Sequence, residues 1–246
     1  MPNSFSQPSQ QARRQHFLRL AELPRAGLEV ASLAAAAPWL SLAPRGTRHA
    51  VVVIPGYLAD DSSTRVLREF VAQLGYDVYP WAQGRNLGAA RMGGYHDLYD
   101  HIQQIYRDTQ QKVSLIGWSL GGVHALAIAD HGAFMVRQLV TLGSPLNRGD
   151  WDLAERPART PITSIYSRSD GVVPWQRSHL NAAPLRDNIE VHSSHVGLGF
   201  NPAVLYAVAD RLALSDGEFK PFQRNGWRAL TYPTPEKNPE QNPVSN

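Results

Sequence analysis

Residues Lys112 to Ala129 read KVSLIGWSLGGVHALAIA, and this stretch restricts the fold more tightly than any other in the chain. Val113, Leu115 and Ile116, ending at Gly117, form a short apolar run that suits a buried strand. From Leu120 onward the segment is rich in Ala and Leu and suits a packed helix. Between them Gly117-Trp118-Ser119-Leu120-Gly121 matches G-x-S-x-G, in which the Ser occupies a tight strand-to-helix turn with strained backbone angles. A Cβ on either Gly would collide with the neighbouring strand or helix as the chain doubles back. The turn lifts the Ser119 Oγ into the open above a helix N-terminus, whose free N–H groups favour negative charge. Five letters alone would also fit a strand, a glycine turn and a helix with no chemistry. The flanking strand and helix turn the match into a candidate nucleophile, and the chain can then be asked for an acid, a base and an oxyanion hole.

With 246 residues the chain can bury one sizeable core, and α/β sheets of this length commonly form one domain. A hydrophobic content of 43% with 18% charged residues is that of a globular protein. The net charge of +3 is spread without blocks of like sign, so no nucleic-acid partner is read from it. The absence of cysteine excludes disulfides, thiolate ligands and a Cys nucleophile, and says little about compartment.

Residues 1–12 are rich in Ser, Gln and Pro and are expected to be disordered. A helical segment over 13–47 follows. Arg13-Arg14-Gln15-His16-Phe17-Leu18 is similar to a twin-arginine export signal, but the spacing is off by one and Pro24, Arg25 and Glu29 interrupt the apolar stretch. Val30 to Ala43 carries no charge, is broken by Pro38 and is too short to span a bilayer. A helix packed on the domain, or one making peripheral membrane contact through residues 28–43, explains it better than a cleaved signal. The reading is a cytoplasmic protein, with membrane-peripheral placement as the variant and export as the remaining alternative.

His49–Ile54, Tyr76–Trp81, the strand before Ser119, Val136–Leu142, Ile162–Tyr166 and Ile189–His192 read as strands. Helical spacing covers 64–74, 95–110, the segment after Ser119, and 203–214. Gly84 to Gly94 and Asn147 to Thr160 read as loops. The main domain is expected over 48–215, with an irregular tail over 216–246. Alternating strands and helices imply an α/β fold with a mostly parallel central sheet covered by helices on both faces. Active sites of such sheets lie at the carboxyl ends of the strands, which sorts the candidates.

Asp170 follows the strand Ile162–Tyr166 and His195 follows the strand Ile189–His192. The chain order is then Ser119, Asp170, His195. A Ser hydroxyl needs a base at hydrogen-bond distance, the role of His195, while Asp170 holds the imidazole tautomer and its charge. His192 competes for the base role but falls inside the predicted strand. His124, one helical turn past Ser119, reads as a packed or surface residue. Asp150, Asp152 and Asp187 do not directly follow a strand and read as solvated. His96, His101 and His131 lack metal-site companions, and no metal or cofactor is indicated. The oxyanion donors should be the backbone N–H groups of Leu120 and of Tyr57, which follows Pro55-Gly56 after the first strand.

From about Ala50 to Leu214 the sequence resembles the small bacterial lidless lipases and esterases of the α/β-hydrolase superfamily, typified by the Bacillus lipase. The resemblance is carried by VVVIPGY, LIGWSLGG, LVTLGSPLN, ITSIYSRSDGVVP and IEVHSSHVGL. It implies the same assignments: Ser119 as nucleophile, Asp170 as acid, His195 as base, Tyr57 and Leu120 as oxyanion donors. Three features depart from the pattern. Pro55 stands where most relatives have His, Trp118 is larger than the usual His or Tyr, and 147–160 has no counterpart and could form a lid. The expected activity is carboxylic-ester hydrolysis, on short- to medium-chain acyl or lipid esters. An acyltransferase with the same triad and a non-catalytic hydrolase-fold binding protein are the alternatives. Trp81, Trp118, Leu146, Trp151 and Trp175 could line an acyl pocket or belong to the core.

Overall fold

Alternation along each strand decides how the sheet is covered. In β1 (Ala50–Ile54) Val51 and Val53 face one core, while Ala50, Val52 and Ile54 face another. That two-sided burial explains the unbroken apolar run, since a strand covered on both faces has no solvent-facing side to mark with polar residues. The computed structural model describes residues 10–147 and 159–235. The remaining strands are β2 (Asp77–Pro80), β3 (Val113–Trp118), β4 (Val136–Leu142), β5 (Ile162–Tyr166) and β6 (Arg186–Glu190). All neighbouring strands are parallel, in the order β2-β1-β3-β4-β5-β6. One face is covered by α3 (Arg65–Gln73) and α7 (Pro202–Leu212), the other by α4 (His96–Thr109) and α5 (Leu120–His131), while the short α6 (Trp175–Ser178) follows β5. This is the α/β-hydrolase arrangement, and it aligns the carboxyl ends of β1, β3, β5 and β6 along one edge.

The last strand differs from expectation. It ends at Glu190 and begins with the polar Arg186-Asp187-Asn188, which hid it from an apolar pattern. Being at the sheet edge, β6 can spend these side chains on other elements. Asn188 exchanges hydrogen bonds with Leu180 (both 2.8 Å). Asp187, expected to be solvated, is largely buried and accepts from the Phe222 N–H (2.7 Å). That bond ties down the C-terminal tail, which is irregular apart from α8 (Arg228–Thr231) and buries Phe222 and Tyr232 in the core.

At the other end, residues from Gln10 on, assigned to a disordered stretch by composition, are helical. α1 (Gln10–Leu20) and α2 (Glu22–Leu40) form a pair. Neither proline breaks α2. Pro24 lies in the first turn, where no intrahelical N–H bond is needed, and Pro38 lies in the last. One side of α2 packs: Ala26 and Leu40 are buried, and Trp39 stacks on Tyr206 at 4.8 Å between ring centres. The opposite side leaves Leu23, Leu28 and Val30 exposed. No described helix is long and apolar enough to cross a membrane. Residues 148–158, with Asp150, Trp151 and Asp152 and most of the expected lid segment, lie outside the described residues.

Among the described glycines, the tightest approach to backbone atoms is at the start of α5. A Cβ on Gly121 would stand 2.2 Å from the Ile54 carbonyl oxygen and 2.7 Å from that of Pro55. Both are backbone atoms and cannot swing away. Gly121→Ala should therefore lower stability by about 3 kcal/mol and the melting temperature by roughly 6–12 °C. A thermal melt within about 2 °C of wild type would show that β1 relaxes around the added methyl.

Candidate active site

Ser119 sits between β3 and α5 with φ of +53° and ψ of −121°, a conformation a non-glycine residue holds at a cost of roughly 1–3 kcal/mol. Three contacts keep it there. The Ser119 N–H donates to the Leu142 carbonyl (2.8 Å), and the Gly122 N–H donates to the Ser119 carbonyl (3.1 Å). A Cβ on Gly117 would come within 2.3 Å of Gly122 Cα. Gly122, outside the five-letter motif, is equally constrained, since its Cβ would lie 2.1 Å from the Ser144 hydroxyl.

Asp170 and His195 meet although 25 residues separate them. The His195 Nδ1 and the Asp170 Oδ2 are 2.6 Å apart, both residues are buried, and Asp170 Oδ1 accepts from the N–H groups of Val172 (2.8 Å) and Val173 (2.7 Å). A buried carboxylate with these partners acts as an acceptor, so Nδ1 carries the proton and Nε2 is left for proton transfer. Gly143, at φ +56° just past β4, lies beneath the pair: a Cβ there would stand 3.0 Å from Asp170 Oδ2 and 3.2 Å from His195 Nδ1. Trp118, beside Ser119, explains its size by its reach. Its indole N–H donates to the His195 carbonyl (3.1 Å), and its ring fills the space beside Gly199, where a Cβ would come within 2.3 Å.

His192 is exposed and lies beyond the end of β6, not inside the strand as its sequence position suggested. Its carbonyl accepts from Asn201 Nδ2 (3.0 Å), while its ring is not part of the Asp170–His195 contact.

The loop after β1 brings Gly56 against the nucleophile turn: a Cβ there would be 3.2 Å from Ser119 Cβ. Tyr57 follows it, and Leu120 opens α5. Among the described residues neither N–H has an acceptor. The loop is held by Asn86, which is fully buried and was passed over as part of a glycine-bearing loop. Its Nδ2 donates to the Pro55 carbonyl (2.9 Å), its backbone carbonyl accepts from the Leu58 N–H (2.7 Å), and its N–H donates to the Ala59 carbonyl (2.8 Å). Pro55, with no N–H to offer, is thus gripped through its carbonyl. The Asn86 Oδ1 accepts from the Gly88 N–H (3.0 Å) and lies 3.0 Å from His124 Nε2. With Asn86 oriented this way, His124 is neutral with its proton on Nε2. His124 is thus packed, one of the two readings its helix position allowed, and it lies buried in the support of this loop.

A cavity of about 360 Å³ opens next to Leu120, lined also by Leu87, Val123, His124, Pro145 and Leu146. Of the described apolar residues proposed as pocket lining, only Leu146 borders it, and Trp151 lies outside the described residues. Trp81 is fully buried with its indole N–H on the Gly84 carbonyl (2.9 Å), Trp118 braces His195, and Trp175 stacks on Tyr166.

The sequence model of the alpha/beta hydrolase family matches residues 50–201, more than half of the chain. The chain belongs to the α/β-hydrolase family. A comparison with curated proteins returned no match. Among solved structures, the chain is similar to lipase B of Aspergillus fumigatus (TM-score 0.56, 15% identity, 69% of this chain and 53% of that one). This chain thus spans about half the length of that lipase. It is also similar to a CIB-like hydrolase of Thermoplasma acidophilum (TM-score 0.53, 15% identity, 68% and 86% covered). A third likeness is to the pyrethroid hydrolase PytH (TM-score 0.52, 16% identity, 70% and 100% covered). At these identities the likeness is one of fold. The narrower kinship with Bacillus-type lipases is not specified by any of them.

Burial pushes the imidazoles of His124 and of His49, whose Nε2 lies 2.8 Å from the Ser114 hydroxyl, down to about 4 from an ordinary 6.5. The unfolded chain therefore binds more protons than the folded protein between these values. The stability tied to the two neutral rings is complete above about pH 6.5 and is lost as pH falls through about 4. Melting temperatures should decline across that window, and His49→Gln should decline less steeply than wild type. Parallel curves for the two proteins would remove His49 from the acid response.

Proposed function

We propose that the hydrolase is a serine carboxylic-ester hydrolase acting on short- to medium-chain acyl or lipid esters. The observation that carries this reading is the 2.6 Å contact of His195 with Asp170 on the same sheet edge as the strained Ser119 turn. In the first half-reaction, His195 Nε2 takes the Ser119 proton as Oγ attacks the ester carbonyl. The developing oxyanion is met by the N–H groups of Leu120 and Tyr57, which are pre-aimed by α5 and by the Asn86-held loop. His195 returns the proton to the departing alcohol, leaving an acyl-Ser119 ester. Water then repeats the sequence, releasing the acid and restoring the hydroxyl. Asp170 stays ionised throughout and stabilises the imidazolium.

The cavity beside Leu120 supports an apolar acyl group, because its lining is mostly aliphatic and adjoins an oxyanion donor. The likeness to compact lidless bacterial lipases rests on the sequence motifs. The lipase and PytH likenesses are in keeping with ester chemistry on small apolar substrates.

A p-nitrophenyl ester series from acetyl to palmitoyl tests the reading. Wild type should turn over the shorter members, and Ser119→Ala and His195→Ala should each lose about 10⁴- to 10⁶-fold in kcat. Asp170→Asn should lose about 10⁴-fold. His192→Ala should remain within about twofold of wild type. Loss of activity in His192→Ala with activity kept in His195→Ala would reverse the base assignment. Absence of hydrolysis alongside labelling of Ser119 by a fluorophosphonate would move the reading to acyl transfer. Absence of both would overturn it.

A further inference from the structure

α1 and α2 precede the residues matched by the family, yet they carry most of the polar partners of the turn that bears Asp170. Arg25 donates to the Ser169 carbonyl (2.6 Å) and hydroxyl (2.8 Å). Gln15 Nε2 donates to the Asp170 carbonyl (3.2 Å), and Arg19 Nε to the Gly171 carbonyl (3.1 Å). Glu22 does something different. Its Oε1 accepts from the Gly171 N–H (2.7 Å), and its Oε2 accepts from the Val196 N–H (3.0 Å). One carboxylate thereby joins the residue after Asp170 to the residue after His195. Two helical turns on, Glu29 holds the approach to His195, accepting from the Ser194 N–H (2.7 Å), the Ser193 hydroxyl (2.6 Å) and Asn201 Nδ2 (3.0 Å).

The fit is close at both loops. A Cβ on Gly171 would lie 2.5 Å from the Leu18 carbonyl carbon, and one on Gly197 would lie 2.0 Å from a Glu29 carboxylate oxygen. Glu22 is only 5% exposed. Withdrawing a carboxylate from water is costly unless its oxygens are satisfied, so a buried glutamate on a terminal helix needs a reason. Packing alone would be served by an apolar residue.

We propose that Glu22 is a positioning residue for the Asp170–His195 pair, and that the α1–α2 pair is a working part of the active site. The proposal rests on the reading of Asp170 and His195 as acid and base. The two residues stand on separate loops after β5 and β6, and their 2.6 Å contact depends on the spacing of those loops. The loops have other links, in which the Ser167 hydroxyl accepts from the Ser193 N–H (3.2 Å) and the Ser169 hydroxyl donates to the Ser193 carbonyl (3.2 Å). These links pass through residues before the catalytic pair. Glu22 closes the frame on the far side. A carboxylate suits the task because both of its ends accept and neither donates. A carboxamide of the same size offers one acceptor and turns an NH₂ toward the other N–H.

The experiment is steady-state kinetics of Glu22→Gln on the best ester, at a temperature well below its melt and per mole of folded protein. The expected result is a fall in kcat of about 10- to 100-fold with KM changed by less than about twofold, as for a displaced proton-transfer geometry. Leu28→Gln, on the exposed side of α2, should match wild type. A merely structural Glu22 would lower the melting temperature but leave kcat per folded molecule at the wild-type value, and that result overturns the proposal. A second readout is independent of turnover. The Nδ1 proton of His195 should give a far-downfield proton resonance in wild type that shifts or broadens in Glu22→Gln. An unchanged resonance overturns the proposal even if no ester is hydrolysed, whereas a shifted resonance in an inactive wild type would fault only the ester reading. Should Glu22→Gln fail to fold, Gln15→Ala tests the same clamp at the Asp170 carbonyl. A several-fold fall in kcat at constant KM supports the proposal and wild-type kinetics overturns it.

Discussion

The close approach of α5 to the carboxyl ends of β1 and β3 is the constraint around which the molecule is arranged. Gly117 and Gly121 permit backbone contacts that any side chain would block, Gly122 packs against the Ser144 and Thr141 side chains, and Ser119 among them takes positive φ. The same approach aims the N-terminus of α5 at the sheet edge and brings the Gly56 loop against Ser119. The parallel sheet then determines where partners can come from. Residues leaving β5 and β6 emerge at that edge, so Asp170 and His195 reach each other by topology and not by nearness in sequence.

Support for this edge comes from elements with different chemistry. The Tyr57 side depends on Asn86 and His124, a buried network in which each polar atom of Asn86 has a defined partner. The Asp170–His195 side depends on charged residue types, with Arg19, Arg25, Glu22 and Glu29 reaching in from α1 and α2. Trp118 ties the two sides together, since it belongs to the Ser119 turn and holds the His195 carbonyl. Preorganisation of this kind fixes a site through the rigidity of its neighbours, so residues that never touch a substrate can govern the rate.

The strands of the sheet interior were readable because two-sided burial writes a continuous apolar run, and β4 and β5 have the limits that pattern suggests. β6 was shifted because an edge strand may be polar where its side chains serve loops and tails. Ser119 was readable from a local steric demand, and Asp170 and His195 from their order after strands. Asn86, Gly143 and the indole of Trp118 carried no such mark. Asn86 sits in a loop where Asn is ordinary, and its partners lie 31 and 38 residues away. Glu29 reads as an interruption of an apolar segment and Glu22 carried no mark, because their partners are more than 140 residues away.

What the sequence determined by itself was everything set by short-range geometry: the alternation that makes a parallel sheet, the glycines that make the Ser119 turn, and the order in which chemical groups leave the strands. These follow from sterics and periodicity within a few residues. Tertiary structure alone decided which polar groups meet. It turned Glu22 and Glu29 of α2 inward to the loops beside Asp170 and His195, on the same side as the buried Ala26 and Leu40, and left Leu23, Leu28 and Val30 exposed. A hydrogen bond needs its two atoms within about 3 Å, and for groups so distant along the chain only the completed fold supplies that distance.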